Sequence, residues 1–201
     1  MRDIQLKRGS RTAWVAVFQN VLIASTRESL AKENLDALRK GIANLARHVR
    51  NVRSFGVPAV VAINHFESDT AAEHELVREL CRGFGVDAIT CRHWAEGGAG
   101  ATALAEEVVR VIDSGKADFK PLYADDLSLW EKVETIAKQI YGASHITASA
   151  KVKQQFATYQ EQYGHFPVCM AKTQYSFSTD PALKGAPTRH VVPVREVRLN
   201  A

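Results

Sequence analysis

The chain has 201 residues and a mass of 22.2 kDa, so it can bury a core of its own without a disulfide or a metal ion. With 46% apolar and 24% charged residues, it has the composition of a globular protein, which excludes a disordered one. The net charge of +4 comes without any block of like charges, so nucleic acid is not indicated as a partner.

The first thirty residues are basic and show no strong hydrophobic period. From Lys32 onward, apolar residues recur at steps of three and four, which predicts an amphipathic helix with one apolar face. That face comprises Leu35, Leu38, Ile42, Leu45, Val49 and Val52. Gly56 supplies a stop signal, and Pro58 begins the next element.

The middle of the chain alternates between predicted strands and helices. Ala59–Ile63 and Val86–Cys91 are short apolar runs that fit buried strands. Between them, Thr70 and Glu73 form a capping-box pattern that predicts a helix to about Phe84. A glycine-rich loop at 93–100 and a helix at about 101–112 follow. This alternation predicts a parallel sheet covered by helices, which is an α/β fold.

The remaining residues are less regular. Helices are predicted at Ser128–Tyr141 and Ser149–Tyr163, and strands at Pro167–Ala171 and His190–Leu199. Turn residues fill the segment Thr179–Pro187.

These patterns divide the chain into three parts. Residues 1–30 form an atypical N-terminal segment, 31–125 the α/β portion with ligand-binding loops, and 126–201 a smaller α+β portion. No stretch of 18 apolar residues is present, so we expect no membrane-spanning helix.

Two predicted strand ends carry side chains suited to a flat heterocycle. Asn64 ends the first strand, and its amide offers both a donor and an acceptor. Phe66 and Trp94 could sandwich a planar ring, because ligands of open α/β sheets bind at the carboxyl ends of the strands. Gly97 and Gly98 would let backbone N–H groups approach the ligand. The alternative is that Asn64 and Asp69 form turn bonds and both aromatic rings belong to the core.

A polar run, Lys172–Ser178, could orient an anionic ligand or fold against its own domain.

Common catalytic and metal-binding motifs are missing from the sequence. The sequence has no G-x-x-x-x-G-K-[ST] phosphate loop, no G-x-S-x-G nucleophile motif and no metal-ligand spacing among its histidines, so we expect no metal site. Its three cysteines form no C-x-x-C pair, which favours a reducing compartment.

Several segments, in this order, resemble formate–tetrahydrofolate ligase. They are Glu33–Gly41, Phe55–Pro58, Ala62–Asn64, Trp94–Gly100, Tyr141–Ala143 and Pro167–Ser176. The resemblance covers about residues 32–199, and the Ala-Lys-Thr-Gln-Tyr-Ser run at 171–176 is highly specific.

The resemblance implies an enzyme of one-carbon metabolism that converts ATP, formate and tetrahydrofolate to 10-formyltetrahydrofolate, ADP and phosphate. It also implies a P-loop-NTPase-like fold, Mg²⁺, a monovalent cation, a homotetramer and a cytoplasmic location. By resemblance, Phe66 and Trp94 match the aromatic pair that sandwiches the pterin ring. Asn64, Gly97 and Gly98 match the wall of the same pocket, where the nucleotide base also lies.

The chain departs from the family pattern in several places. It lacks the family's P-loop, residues 1–30 do not resemble the family, and Glu67 stands where proline is usual. We therefore expect a truncated interior and C-terminal portion that is inactive alone. Two alternatives stay open: a non-catalytic module that binds folate or purine, or a non-functional fragment that acts through protein contacts or self-associates.

Overall fold

A computed structural model describes residues 4–8, 11–15, 33–171 and 177–200. The chain consists of two compact units, Met1–Phe119 and Lys120–Ala201, which we call the N-terminal and C-terminal units. The N-terminal unit begins with two strands, β1 (Ile4–Arg8) and β2 (Arg11–Val15), which pair antiparallel. They lie where the sequence shows no strong period.

The first helix, α1, spans Leu35–Ser54 and confirms the predicted amphipathic helix. It begins where the side chain of Asn34 accepts a hydrogen bond from the backbone N–H of Ala37. It ends before Gly56, whose φ of +73° is the left-handed conformation that glycine adopts at low cost. Gly56 also pairs with Asp118 through the backbone, and a Cβ at this position would lie 1.9 Å from the Asp118 carbonyl oxygen.

The centre of the N-terminal unit is a βαβ crossover. Strand β3 (Val61–Asn64) runs parallel to β4 (Ala88–Cys91), and helix α2 (Ala71–Gly83) connects them. The predicted capping box is present with both of its hydrogen bonds, between Thr70 and Glu73. The core residues beneath these elements are Val49, Val61, Cys81, Val86 and Ala88.

The glycine-rich stretch after β4 is not simply a loop, as the sequence predicted. It holds a one-turn helix, α3 (His93–Glu96), and a 3-10 turn at Ala99–Ala101, before helix α4 (Thr102–Asp113). The turn of α3 forms because Ala95 and Glu96 donate their backbone N–H groups to the Arg92 carbonyl. Such short-range bonds leave no period that a sequence pattern could detect.

The C-terminal unit contains helices α5 (Leu129–Gln139) and α6 (Ala150–Tyr163), with strands β5 (His145–Ala148) and β6 (Val191–Val194) paired parallel. Both helices were predicted. Their shared core consists of Leu129, Val133, Ala137, Ala143, Ile146, Val152, Phe156 and Val192.

Two strand predictions in this unit need correction, and one strand was missed. Strand β5 was not predicted, and β6 occupies only four residues of the predicted 190–199. Residues 167–171 are not a strand, because Val168 bonds to a side chain instead of a neighbouring strand. Its N–H donates to the Tyr123 hydroxyl oxygen at 2.9 Å, and that hydroxyl donates to the Val168 carbonyl at 3.3 Å.

The described residues confirm an α/β class but not one extended sheet. Their parallel strands form two separate two-stranded pairs, β3–β4 and β5–β6. Residues 172–176 of the predicted polar run lie outside the described part of the chain, whereas Phe177 and Ser178 are buried. Within the described ranges, no helix is both long and apolar enough to cross a membrane.

Candidate ligand site at the carboxyl ends of β3 and β4

The adjoining ends of β3 and β4 define the candidate site. Asn64, the last residue of β3, lies opposite Cys91, the last residue of β4. The pairing continues one residue further, because the His65 N–H donates to the Cys91 carbonyl at 3.0 Å. The segments that follow both strands therefore leave from the same edge, as the sequence analysis expected of parallel neighbours.

Phe66 lies on a tight turn between β3 and α2. Its N–H donates to a carboxylate oxygen of Asp69 at 2.9 Å, and its carbonyl accepts from the Asp69 N–H at 3.0 Å. These bonds hold the backbone on both sides of the ring, yet the side chain is 48% exposed. Asp69 thus makes the turn bonds of the alternative reading, but Phe66 is not a core residue.

Trp94 lies on α3 and is 75% exposed, so it too lies outside the core. Its only described ring neighbour is His93, with centroids 5.9 Å apart. The segment closes where the Arg92 N–H donates to the Gly100 carbonyl at 2.9 Å. A Cβ at Gly100 would lie 2.6 Å from the Arg92 carbonyl, so this closure requires glycine.

All five predicted residues lie at or after the ends of β3 and β4 along the chain, and all five are exposed: Asn64, Phe66, Trp94, Gly97 and Gly98. Gly97 ends α3 with a φ of +58°. Gly98 lies at the head of a separate open groove of about 520 Å³ that runs along α4 past Ala105 and Val109. Neither Phe66 nor Trp94 lines that groove.

Sequence reasoning missed a cluster of His65, Asp69 and His74 next to Phe66. Each of these residues offers one ligand atom, and the three atoms lie within 4.8 Å of one another. Asp69 Oδ2 and His74 Nε2 are 3.1 Å apart, and the two imidazole rings meet in a T-shaped contact at 5.1 Å. The capping box places Asp69 just before α2 and His74 in its first turn, but only the fold brings His65 to them.

The opposite side of the His74 ring is also braced. Its Nδ1 lies 3.4 Å from the Thr90 hydroxyl on β4, and that hydroxyl accepts a hydrogen bond from Arg78 at 2.6 Å. The side chain of His74 is only 11% exposed. The ring is therefore fixed between α2 and β4.

Two side chains of α2 have shifted pKa values, one through ion pairing and one through burial. Hydrogen bonds from Arg82 and Arg78 lower the pKa of the exposed Glu75 carboxyl on α2. Burial raises the pKa of the Cys81 thiol to about 11, so this core thiol is protonated at neutral pH. Since the thiolate is the reactive form, Cys81 is not a nucleophile for the site.

Comparison with known proteins identifies relatives for nearly the whole chain. A family model described as formate–tetrahydrofolate ligase matches residues 12–201. The chain is 55% identical over 203 residues to the formate–tetrahydrofolate ligase of Beijerinckia indica, an alignment that covers 95% of this chain and 37% of the relative. It is 58% identical over 176 residues to that of Sinorhizobium fredii, covering 87% and 32% respectively.

Two consequences follow from these matches. The chain spans about a third of the length of the curated relatives it matches. The family match begins at residue 12, so the prediction that residues 1–30 do not resemble the family is wrong for residues 12–30. The formate–tetrahydrofolate ligase of Ruegeria pomeroyi also aligns with nearly the whole chain, with 53% identity over 202 residues and 95% of this chain covered.

Proposed function

The chain belongs to the formate–tetrahydrofolate ligase family, and from that premise we propose that it supplies the pterin-binding side of a ligase that joins formate to tetrahydrofolate at the expense of ATP. The observation that carries the proposal is the pair of exposed aromatic side chains, Phe66 and Trp94, beyond the carboxyl ends of adjacent parallel strands. Exposed rings without a core role are available to stack on a flat heterocycle.

Each residue at this edge has a role in the proposal. Phe66 and Trp94 offer ring faces to the two sides of the pterin. The exposed Asn64 amide offers a donor and an acceptor to the polar edge of that ring. Gly97 and Gly98 leave room for a ligand to approach the backbone, since a Cβ at either position would meet no atom within 4 Å.

ATP handling requires groups beyond the 201 residues. The sequence contains no G-x-x-x-x-G-K-[ST] motif to hold a triphosphate and its Mg²⁺. The cluster of two imidazoles and one carboxylate does not fit Mg²⁺ either, because Mg²⁺ prefers an all-oxygen octahedron. The proposal extends to the whole ligase, which would be a cytoplasmic homotetramer that uses Mg²⁺ and a monovalent cation. This chain would be a P-loop-NTPase-like remnant of it.

Calorimetric titration with tetrahydrofolate tests the pocket. We expect Trp94→Ala and Phe66→Ala each to weaken binding by about 5- to 150-fold, because a stacked aromatic contributes about 1–3 kcal/mol. Phe119→Ala is the matched control, since Phe119 is a 55% exposed aromatic of the same unit and should leave the affinity unchanged. Equal affinities for all three variants would contradict the proposed pocket.

An assay of the purified chain with formate, ATP, Mg²⁺ and tetrahydrofolate tests the missing ATP site. We expect no 10-formyltetrahydrofolate, because no group in these residues can hold the triphosphate. Mg²⁺-dependent product would overturn this part of the proposal. Folate binding without turnover would be the behaviour of a non-catalytic folate- or purine-binding module, which the exposed aromatic pair also favours.

A further inference from the structure

We propose that His65, Asp69 and His74 form a binding site for a divalent transition-metal ion such as Zn²⁺. Two imidazoles and one carboxylate are a donor set that such ions take in proteins, with water in a fourth position. The site lies at the base of the Phe66 turn, and its ligand atoms belong to other side chains than the two proposed stacking rings.

The distances between the donor atoms suit one small ion. Tetrahedral Zn²⁺ with bonds of about 2.0–2.2 Å sets neighbouring ligand atoms about 3.3–3.5 Å apart. Asp69 Oδ2 and His74 Nε2 are already 3.1 Å apart, and all three ligand atoms lie within 4.8 Å of one another.

His65 has an unused nitrogen. Its Nδ1 is buried from solvent and has no hydrogen-bond partner among the described residues. A buried imidazole nitrogen without a partner costs free energy, and a metal ion bound at Nδ1 would offset that cost by giving this nitrogen a partner. This orphaned atom belongs to the ring that contacts His74 edge to face.

The proposed ligand side chains have hydrogen-bond partners outside the cluster, as metal ligands in proteins usually do. A metal-bound histidine usually donates its other ring N–H to a nearby acceptor. With Nε2 of His74 on the metal, Nδ1 faces the Thr90 hydroxyl at 3.4 Å. Asp69 keeps enough acceptor capacity for the Phe66 N–H, because a carboxylate has about four lone-pair sites.

The exposure of the cluster would allow a metal ion to enter it. Asp69 is 27% exposed and His74 11% exposed, so an ion can enter from the Asp69 side while the histidine stays packed. Bound metal would join the end of β3, the turn at Phe66 and the first turn of α2. It would therefore stabilise the segment that carries Phe66.

Calorimetric titration of the full chain with ZnCl₂, with MgCl₂ as the comparison ion, tests the site. We expect one Zn²⁺ per chain and no saturable Mg²⁺ binding. His65→Gln, Asp69→Asn and His74→Gln should each weaken Zn²⁺ binding by more than about 100-fold, and Thr90→Val by about tenfold. His165→Gln is the matched control, because His165 is an exposed histidine of the other unit and should leave the affinity unchanged.

Asp69→Asn keeps an oxygen for the Phe66 N–H, so this variant separates metal binding from folding. We expect its metal-free melting temperature to match that of the wild type, while Zn²⁺ raises the melting temperature of the wild type alone. The proposal is overturned if the wild type shows no saturable Zn²⁺ binding, or if the three ligand variants bind as tightly as the wild type. No folate or ATP enters this test, so its failure leaves the proposed ligase function untouched.

Discussion

Cys81 and Cys169 have opposite surroundings. Cys81, on α2, is fully buried in the core, whereas Cys169 is exposed in the C-terminal unit. Because burial raises the pKa of the Cys81 thiol to about 11, both access and ionisation oppose its reaction at neutral pH.

We predict that iodoacetamide at neutral pH modifies Cys169 rapidly and leaves Cys81 intact, as peptide mass spectrometry would show. Adding urea should expose Cys81 and make it reactive, because the unfolded chain loses both the burial and the raised pKa. Modification of Cys81 at the rate of Cys169 in the folded protein would contradict the packing described for this core.

The side chain of Asp69 has two roles at the Phe66 turn. The Asp69 carboxylate accepts from the Phe66 N–H and lies beside His74, so one residue supports both the proposed stacking ring and the proposed metal site. The two proposals remain separable, because Trp94→Ala removes a ring face and Asp69→Asn removes a charge.

Among the helices, α5 carries an unexpected buried charge. Lys132 is fully buried, and its ammonium donates to the carbonyl oxygens of Gly164 at 2.8 Å and Phe166 at 3.2 Å, just beyond the end of α6. A cation there satisfies carbonyl groups that a helix end leaves unpaired. The lysine therefore fixes α6 and its following turn to α5.

We predict that Lys132→Met lowers the free energy of unfolding by about 2–4 kcal/mol, measured by urea denaturation, because it leaves two carbonyl groups without their donor. Lys138→Met is the matched control on the same helix. Lys138 is half exposed and pairs with Glu134 at 3.3 Å, so its loss should cost less than about 1 kcal/mol. Equal losses for the two variants would show that the buried lysine contributes no more than a surface pair.

The chain spans about a third of the length of its relatives. Several large apolar side chains are exposed on its surface. Helix α4 is amphipathic but has no fully buried residue, and Val109 on it is 44% exposed beside the groove that begins at Gly98. Apolar surface of this kind favours association with other protein surfaces.

We predict that the average mass in sedimentation rises with protein concentration, and that Val109→Glu reduces this effect. Leu183→Glu is the matched control, because Leu183 is similarly exposed but lies in the other unit. A single monomeric species for the wild type at all concentrations would contradict the prediction.

The helices other than α3, the βαβ alternation and the family could be predicted from the sequence, because they depend on local signals. The apolar face of residues 35–52, the capping box of Thr70 and Glu73 and the segments that resemble the family can each be recognised from neighbouring residues. The pairing of β5 with β6, the burial of Lys132 and the contact between His65 and His74 are visible only in the folded structure. Those outcomes depend on contacts between residues far apart in the chain, or on packing that overrides local pattern. No period or spacing in the sequence encodes them.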